Sequence, residues 1–344
     1  MHVKRKCMIQ ILSLLGLLGL IVYSQEATDA AKKALQLCGT SVIPSLFPFF
    51  VLSKILLSSG SSLSFVNRFA EKVFGVSGEC LSALVISLLG GYPAGAAAVT
   101  ALYQNGAITK RDAEKALCFC NNSGPAFFVA FIGGSVLHSV RQGLILYCIH
   151  IISAILCGRM QAGNGNAVLR IRQVKEKQQP PMRQLPEAIS ESCASLLQIS
   201  GLIIFFSVIL AVTEEIGLFR LLNRIPNLPF VEVKAILCGI FELSGGIMNS
   251  VSSQYAFVLC AFFMGWGGYC VHMQAKAIWQ TAGLKPKNYL YFKLLQGLLS
   301  AIFALAYMCP SMLSVAVSLF AAFLCTIFPS ISEKWGRNPI RNTL

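Results

Sequence analysis

Apolar runs of membrane-spanning length recur from one end of the chain to the other. They cover residues 8–23, 35–57, 81–99, 116–136, 144–156, 192–212, 235–251, 255–272, 289–307 and 312–328. Short polar turns separate them, and most Lys and Arg residues lie in those turns and in the tails. The pattern predicts an all-α polytopic membrane protein forming one membrane domain, 1–344.

Several runs are not uniform. The run 81–99 is barely long enough to span and is broken by Gly90, Gly91, Pro93 and Gly95. The run 116–136 is broken by Asn121, Asn122, Ser123, Gly124 and Pro125, and 235–251 by the sequence Glu242-Leu-Ser-Gly-Gly246. Irregular backbone is tolerated at membrane depth only where protein buries it or where it lines a cavity. Broken helices also present N–H ends that attract acceptors.

Charge placement sets the topology. Arg68 and Lys72 precede the run 81–99, and Lys110, Arg111 and Lys115 follow it. If both flanks are cytoplasmic, this run enters and returns as a re-entrant hairpin. Residues 158–190 form a basic cytoplasmic linker at the midpoint. Repeat one, 35–157, reads as span, hairpin, broken span, span, and repeat two, 191–309, reads as the same series from the opposite side. Terminal helices 8–23 and 312–328 flank this inverted repeat, with both termini cytoplasmic. The start fits a signal peptide, but we read it as an uncleaved first helix because further spans follow. Residues 25–33 read as a polar turn, and 58–78 as an amphipathic surface helix.

Composition narrows the function. Only 12% of residues are charged, about half the share in soluble domains. The net charge of +14 is a topology signal here, not a nucleic-acid footprint. The chain carries no Walker phosphate loop, no dinucleotide fingerprint and no nucleophile elbow, so we expect no enzyme and no ATP-driven pump. No cofactor or metal motif is present, and coupling to H+ or Na+ is left open.

The substrate-binding candidates lie in the breaks. Glu242 is an acid with apolar neighbours, costly to bury unless paired or protonated. It is read as a coupling group or a substrate partner, with a helix-end cap as the structural alternative. Asn121, Asn122 and Ser123 precede Pro125, so a half-helix is expected to start at Ser123 or Gly124. Its N–H ends and the two amides suit a carboxylate. Ser244 and Asn249 offer similar chemistry from the second half. Gly91, Tyr92, Pro93 and Gly95 shape one hairpin tip, Gly245 and Gly246 the other. His272 and Gln274 read as an interfacial pair.

Gly-Gly-Tyr-Pro-Ala-Gly at 90–95, Cys-Asn-Asn-Ser-Gly-Pro-Ala-Phe at 120–127 and Glu-Leu-Ser-Gly-Gly at 242–246 together resemble the sporulation integral membrane protein YlbJ family. That family belongs to a wider group with a nucleoside-recognition or gate domain. The resemblance covers roughly 35–310. It implies a fold like that of concentrative nucleoside transporters, and a place in the outer forespore membrane of an endospore-forming bacterium. It also implies movement of dipicolinate, a planar aromatic dicarboxylate, out of the mother cell. Where the family hairpin carries threonines after the acid, Ser244 and Gly245 stand here, so a hydroxyl at 245 is absent. The partners expected are a small-molecule substrate and the bilayer, without nucleic acid, and with homo-oligomerisation open. A nucleoside or other metabolite transporter, and a non-transporting scaffold of spore assembly, are the alternatives.

Overall fold

The computed structural model describes residues 2–58, 71, 73–162, 181–217, 229–312, 314–315 and 317–324. Every regular element among them is a helix. Among the described residues, four helices are long and apolar enough to cross a membrane: Val140–Met160, Leu185–Glu215, Ala256–Thr281 and Tyr289–Met308. Large apolar side chains such as Ile21, Leu52, Leu197 and Phe205 stand exposed on the outside. That surface is unfavourable in water and natural in lipid. The chain is an integral, multi-pass membrane protein.

Helices Ile43–Ser58 and Pro181–Glu215 each open a similar series. The first continues with a helical hairpin, Cys80–Gly90 and Ala94–Gln104, whose arms pack together. A broken helix follows: Lys110–Leu117, an irregular stretch, then helix from Pro125 that widens to π geometry over Phe127–Val136. Val140–Met160 completes the series. The second has the hairpin Phe230–Phe241 and Leu243–Ser250, the broken helix Ala256–Trp266 and Gly268–Thr281, then Tyr289–Met308.

The sequence dictates where these elements stop. Gly91 takes φ +74°, and a side chain there would press on the Gly124 backbone. Glycine alone adopts that conformation without strain. In the second hairpin Gly246 lies directly on Gly239, and a methyl on either has no room. Small residues let the two arms approach closely, as they do at other membrane helix contacts. Thr109 caps Lys110–Leu117 by accepting from the Asp112 N–H at 3.1 Å.

The apolar core is in two parts. One holds Ala83, Leu84, Val99, Leu117 and Cys120 from the first series, with Ala275, Trp279 and Phe292 from the second. The other holds Ala126, Phe128, Phe131 and Leu146 from the first series, with Ala235, Ile247 and Phe263 from the second. The first hairpin therefore belongs to one part and the second hairpin to the other. Between Cys120 and Ala126, where the chain passes from one part to the other, lies the stretch Asn121–Pro125.

Several expected elements take another form. Residues 25–33 are not a turn but part of the helix Ser24–Leu37, which runs through a π-helical turn, Cys38–Val42, into Ile43–Ser58. A face of small residues, with Ala27 and Ala34 buried, makes that polar stretch a good helix. The helix read as 192–212 starts earlier, at Pro181. Most of the stretch 58–78, most of the basic linker and part of 312–328 lie outside the described residues.

Candidate functional site

The hairpin tips and the helix breaks converge. A cavity of about 50 Å³ is lined by Gly91 and Tyr92 of the first tip and by Glu242, Leu243 and Ser244 of the second. Ser123 and Gly124 of the first break and Cys270 and Gln274 just past the second complete its polar and backbone lining, with Phe50, Phe127 and Ile203 among the apolar walls. The tips are tied across the halves: the Tyr92 hydroxyl donates to the Met264 carbonyl at 3.1 Å. Gly268, in the second break, packs against the Glu242 backbone. The volume is enough for a few water molecules and far below the several hundred Å³ of an open ligand site.

A buried polar network stands behind the cavity. Its centre is Lys293, fully buried on Tyr289–Met308. The ammonium donates to the Asn121 carbonyl at 2.7 Å and to Gln296 Oε1 at 2.6 Å. It lies 5.6 Å from the centroid of the Tyr92 ring, within cation–π range. Among the described residues it forms no ion pair with a carboxylate. Gln296 Nε2 donates to Asn122 Oδ1 at 2.9 Å, and Asn122 Nδ2 to the Phe119 carbonyl at 2.7 Å. The Asn121 amide donates to the Tyr289 oxygen at 2.8 Å. Tyr289, Lys293, Gln296 and Ser300 fall at steps of four, three and four, so one helix face carries all of them.

The site residues expected from sequence divide into groups. Gly91, Tyr92, Ser123, Glu242 and Ser244 line the cavity. Pro93 caps the second arm of the first hairpin, and Gly95 abuts Ser87 and the Cys120 carbonyl. Gly245 and Gly246 build the second tip rather than lining the cavity. Asn121 and Asn122 do not line it either; their amides are held by the network behind it. Asn249 turns back to donate to Gly245 O on its own helix at 2.8 Å. The half-helix begins at Pro125, one or two positions later than expected, because proline needs no N–H partner in a first turn.

Backbone N–H groups just ahead of the first half-helix and at the start of the second are occupied. Asn122 N–H donates to Ser87 Oγ at 2.7 Å, and Ser123 N–H to His150 Nε2 at 3.3 Å. Glu242 accepts from Ser244 N–H at 2.8 Å and Gly245 N–H at 2.5 Å. It is the N-cap of its own half-helix, the structural alternative weighed from sequence. His272 and Gln274, expected as an interfacial pair, are both buried within the protein. Sequence reasoning missed Lys293, Gln296, Tyr289 and His150. Lys293 lies near the end of an apolar run, where a lysine normally reaches out to the interface. The polar residues at helical spacing along 289–300 were the available signal.

The chain is 26% identical over 321 residues to the sporulation integral membrane protein YlbJ of Bacillus subtilis (strain 168). The alignment covers 83% of this chain and 78% of the relative. It bears out, over most of the length, the resemblance carried by the three motifs. No family model and no solved structure matches the chain.

Proposed function

We propose that this protein transports a small carboxylated metabolite during sporulation, with dipicolinate as the substrate, from the mother cell across the outer forespore membrane. The observation that carries the reading is Lys293: a cation buried beside the first break and the first hairpin tip, without a carboxylate partner among the described residues. An ionisable group in that position is expensive, and a mobile anion is the partner that justifies it. In this reading the two hairpins are re-entrant and enter from opposite faces, giving an inverted repeat like that of concentrative nucleoside transporters. Their membership of different core parts supports this, since each hairpin packs on its own side of the polar stretch. The cavity is the closed state of the site. Opening parts the Tyr92 hydroxyl from Met264 O and lets a substrate carboxylate reach the ammonium. A scaffold has no use for a buried charge beside two converging tips.

The test is flux into proteoliposomes. Labelled dipicolinate, a nucleoside and a non-aromatic dicarboxylate are compared with protein-free vesicles. Saturable uptake of dipicolinate above both other solutes is expected. Uptake of the nucleoside alone, or of none from folded protein, overturns the reading.

A further inference from the structure

His150 faces a donor on each side and can accept from only one of them. It is buried on Val140–Met160, with its ring centroid 5.0 Å from that of Phe128. On one side the Ser123 backbone N–H donates to Nε2 at 3.3 Å. On the other, Gln296 Nε2 lies 3.5 Å from Nδ1. That the Gln296 atom is a nitrogen follows from the backbone. The Phe119 carbonyl only accepts, so Asn122 turns Nδ2 toward it and Oδ1 toward Gln296. Gln296 therefore offers Nε2 to Asn122 and keeps Oε1 for Lys293.

A neutral imidazole has one acceptor nitrogen and one N–H donor. With Nε2 accepting from Ser123, the proton is assigned to Nδ1, where it points at the Gln296 NH2. A proton on Nε2 instead points at the Ser123 N–H. Either way one donor is left over, among side chains buried from water. Lys293 adds to the surplus. An ammonium has three N–H groups, and it meets two acceptors and the face of the Tyr92 ring. A buried donor without an acceptor costs free energy. What this cluster lacks is an acceptor.

We propose that His150 is a substrate-binding residue that holds the Ser123 N–H in reserve while the site is empty. Its Nε2 takes the place of a substrate oxygen. When a carboxylate enters from the cavity that Ser123 lines, the Ser123 N–H passes to one carboxylate oxygen. The imidazole proton moves from Nδ1 to Nε2 and donates to the carboxylate as well, and Nδ1 then accepts from Gln296 Nε2. One proton leaves Nδ1 and one arrives at Nε2. Both exchange with water admitted as the site opens, so the ring takes up no net charge. A contact with a donor to spare becomes one in which every donor has an acceptor. That the carboxylate is cargo rests on the transport reading; the contact itself does not.

The test reads the tautomer by nitrogen NMR of the full chain in nanodiscs, with its four histidines isotopically labelled. The signals lost in His150→Gln identify His150. In the empty protein the proton is expected on Nδ1. With saturating pyridine-2,6-dicarboxylate or benzoate it is expected on Nε2, and with uridine, which has no carboxylate, it stays on Nδ1. Binding of labelled pyridine-2,6-dicarboxylate is expected to fall about tenfold in His150→Phe, which keeps a ring against Phe128 but neither nitrogen. His150→Gln, whose amide offers both an acceptor and a donor, keeps binding within about threefold. If the Phe variant does not fold, the tautomer of wild type decides. A proton on Nε2 in the empty protein, or one that stays on Nδ1 while the dicarboxylate binds, overturns the role of His150 and leaves the transport reading standing. Failure of both carboxylates to bind overturns the role as well. A tautomer shift without flux of any solute in proteoliposomes overturns the transport reading and leaves the contact standing.

Discussion

The two helix breaks solve the same problem by different means. The second is two glycines long. Gly267 and Gly268 both take positive φ, and Gly268 packs straight onto the backbone at the second hairpin tip. Backbone alone makes that contact. The first break spans Asn121 to Gly124, and side chains from three other helices tie it down: Ser87, His150 and the pair Lys293 and Gln296. The hairpin tips differ in the complementary sense. The first, around Gly91 and Tyr92, is uncharged. The second brings Glu242, which N–H groups of its own helix hold by two hydrogen bonds. So the acid in the second half is held by its own helix, whereas the cation beside the first break also reaches across to the Asn121 carbonyl, 172 residues away. In the transport reading proposed above, the charge that answers to a substrate therefore belongs to the first break.

That asymmetry is broken most severely at Lys293. Lys293→Met is expected to cut dipicolinate flux about a hundredfold, since removing one partner of a buried charge contact costs roughly 2–5 kcal/mol. Stability responds differently. The Asn121 carbonyl and Gln296 Oε1 lose a donor, at about 1–3 kcal/mol. Against this, an ammonium no longer has to be desolvated, and apolar replacement of buried charges is often neutral or stabilising. A thermal midpoint near that of wild type, with lost flux, separates function from folding. Unchanged flux assigns the lysine to structure and removes the asymmetry.

Glu242→Gln probes the other side of the comparison. A carboxylate offers acceptors to both Ser244 N–H and Gly245 N–H. An amide offers one oxygen, and its NH2 faces the other N–H as a clash of donors. Loss of half a cap costs about 0.5–2 kcal/mol of stability. Flux is expected to fall only a few-fold, and any response to an imposed proton gradient is expected to match wild type. A mutant that transports but has lost a gradient response shown by wild type makes Glu242 the coupling group, and the halves then share the work.

How much of this was legible in the sequence follows from what each residue's signal depends on. Helix breaks depend on local backbone preference, so Gly91, Pro93, Gly124 and Pro125 marked the first hairpin tip and the first break correctly. Glu242 was legible because an acid among Ile240, Phe241 and Leu243 has no other easy reading. Residues 25–33 misled because polarity was taken for a turn, whereas Ala-rich polar sequence is helical wherever one face finds a partner. Asn121 and Asn122 were singled out as amides to grip a carboxylate, but which way a break turns its amides is decided by distant partners. Those partners, Tyr289 and Gln296, lie 168 and 174 residues away. No local pattern encodes that pairing. The same holds for Lys293, whose acceptor Asn121 O lies 172 residues back along the chain.

The smallest expected effect is at Asn249, and it bounds the site within the second half. Sequence alone ranked it with Asn121 and Asn122, as an amide beside a half-helix. In the structure its Nδ2 donates to the carbonyl four residues back, Gly245 O, and the residue is only partly buried. A bond of that kind competes with the helix's own ladder and contributes little to stability. Asn249→Ala also replaces a mediocre helix former by the best one, worth a few tenths of a kcal/mol in the opposite direction. The two effects nearly cancel, so the expected stability change is within about 0.5 kcal/mol. Flux at limiting dipicolinate is expected to equal wild type within about twofold, because the side chain neither lines the cavity nor joins the Lys293 network. A loss of tenfold or more from folded protein extends the site along Leu243–Ser250 and gives the second half a polar contribution beyond its self-capped acid.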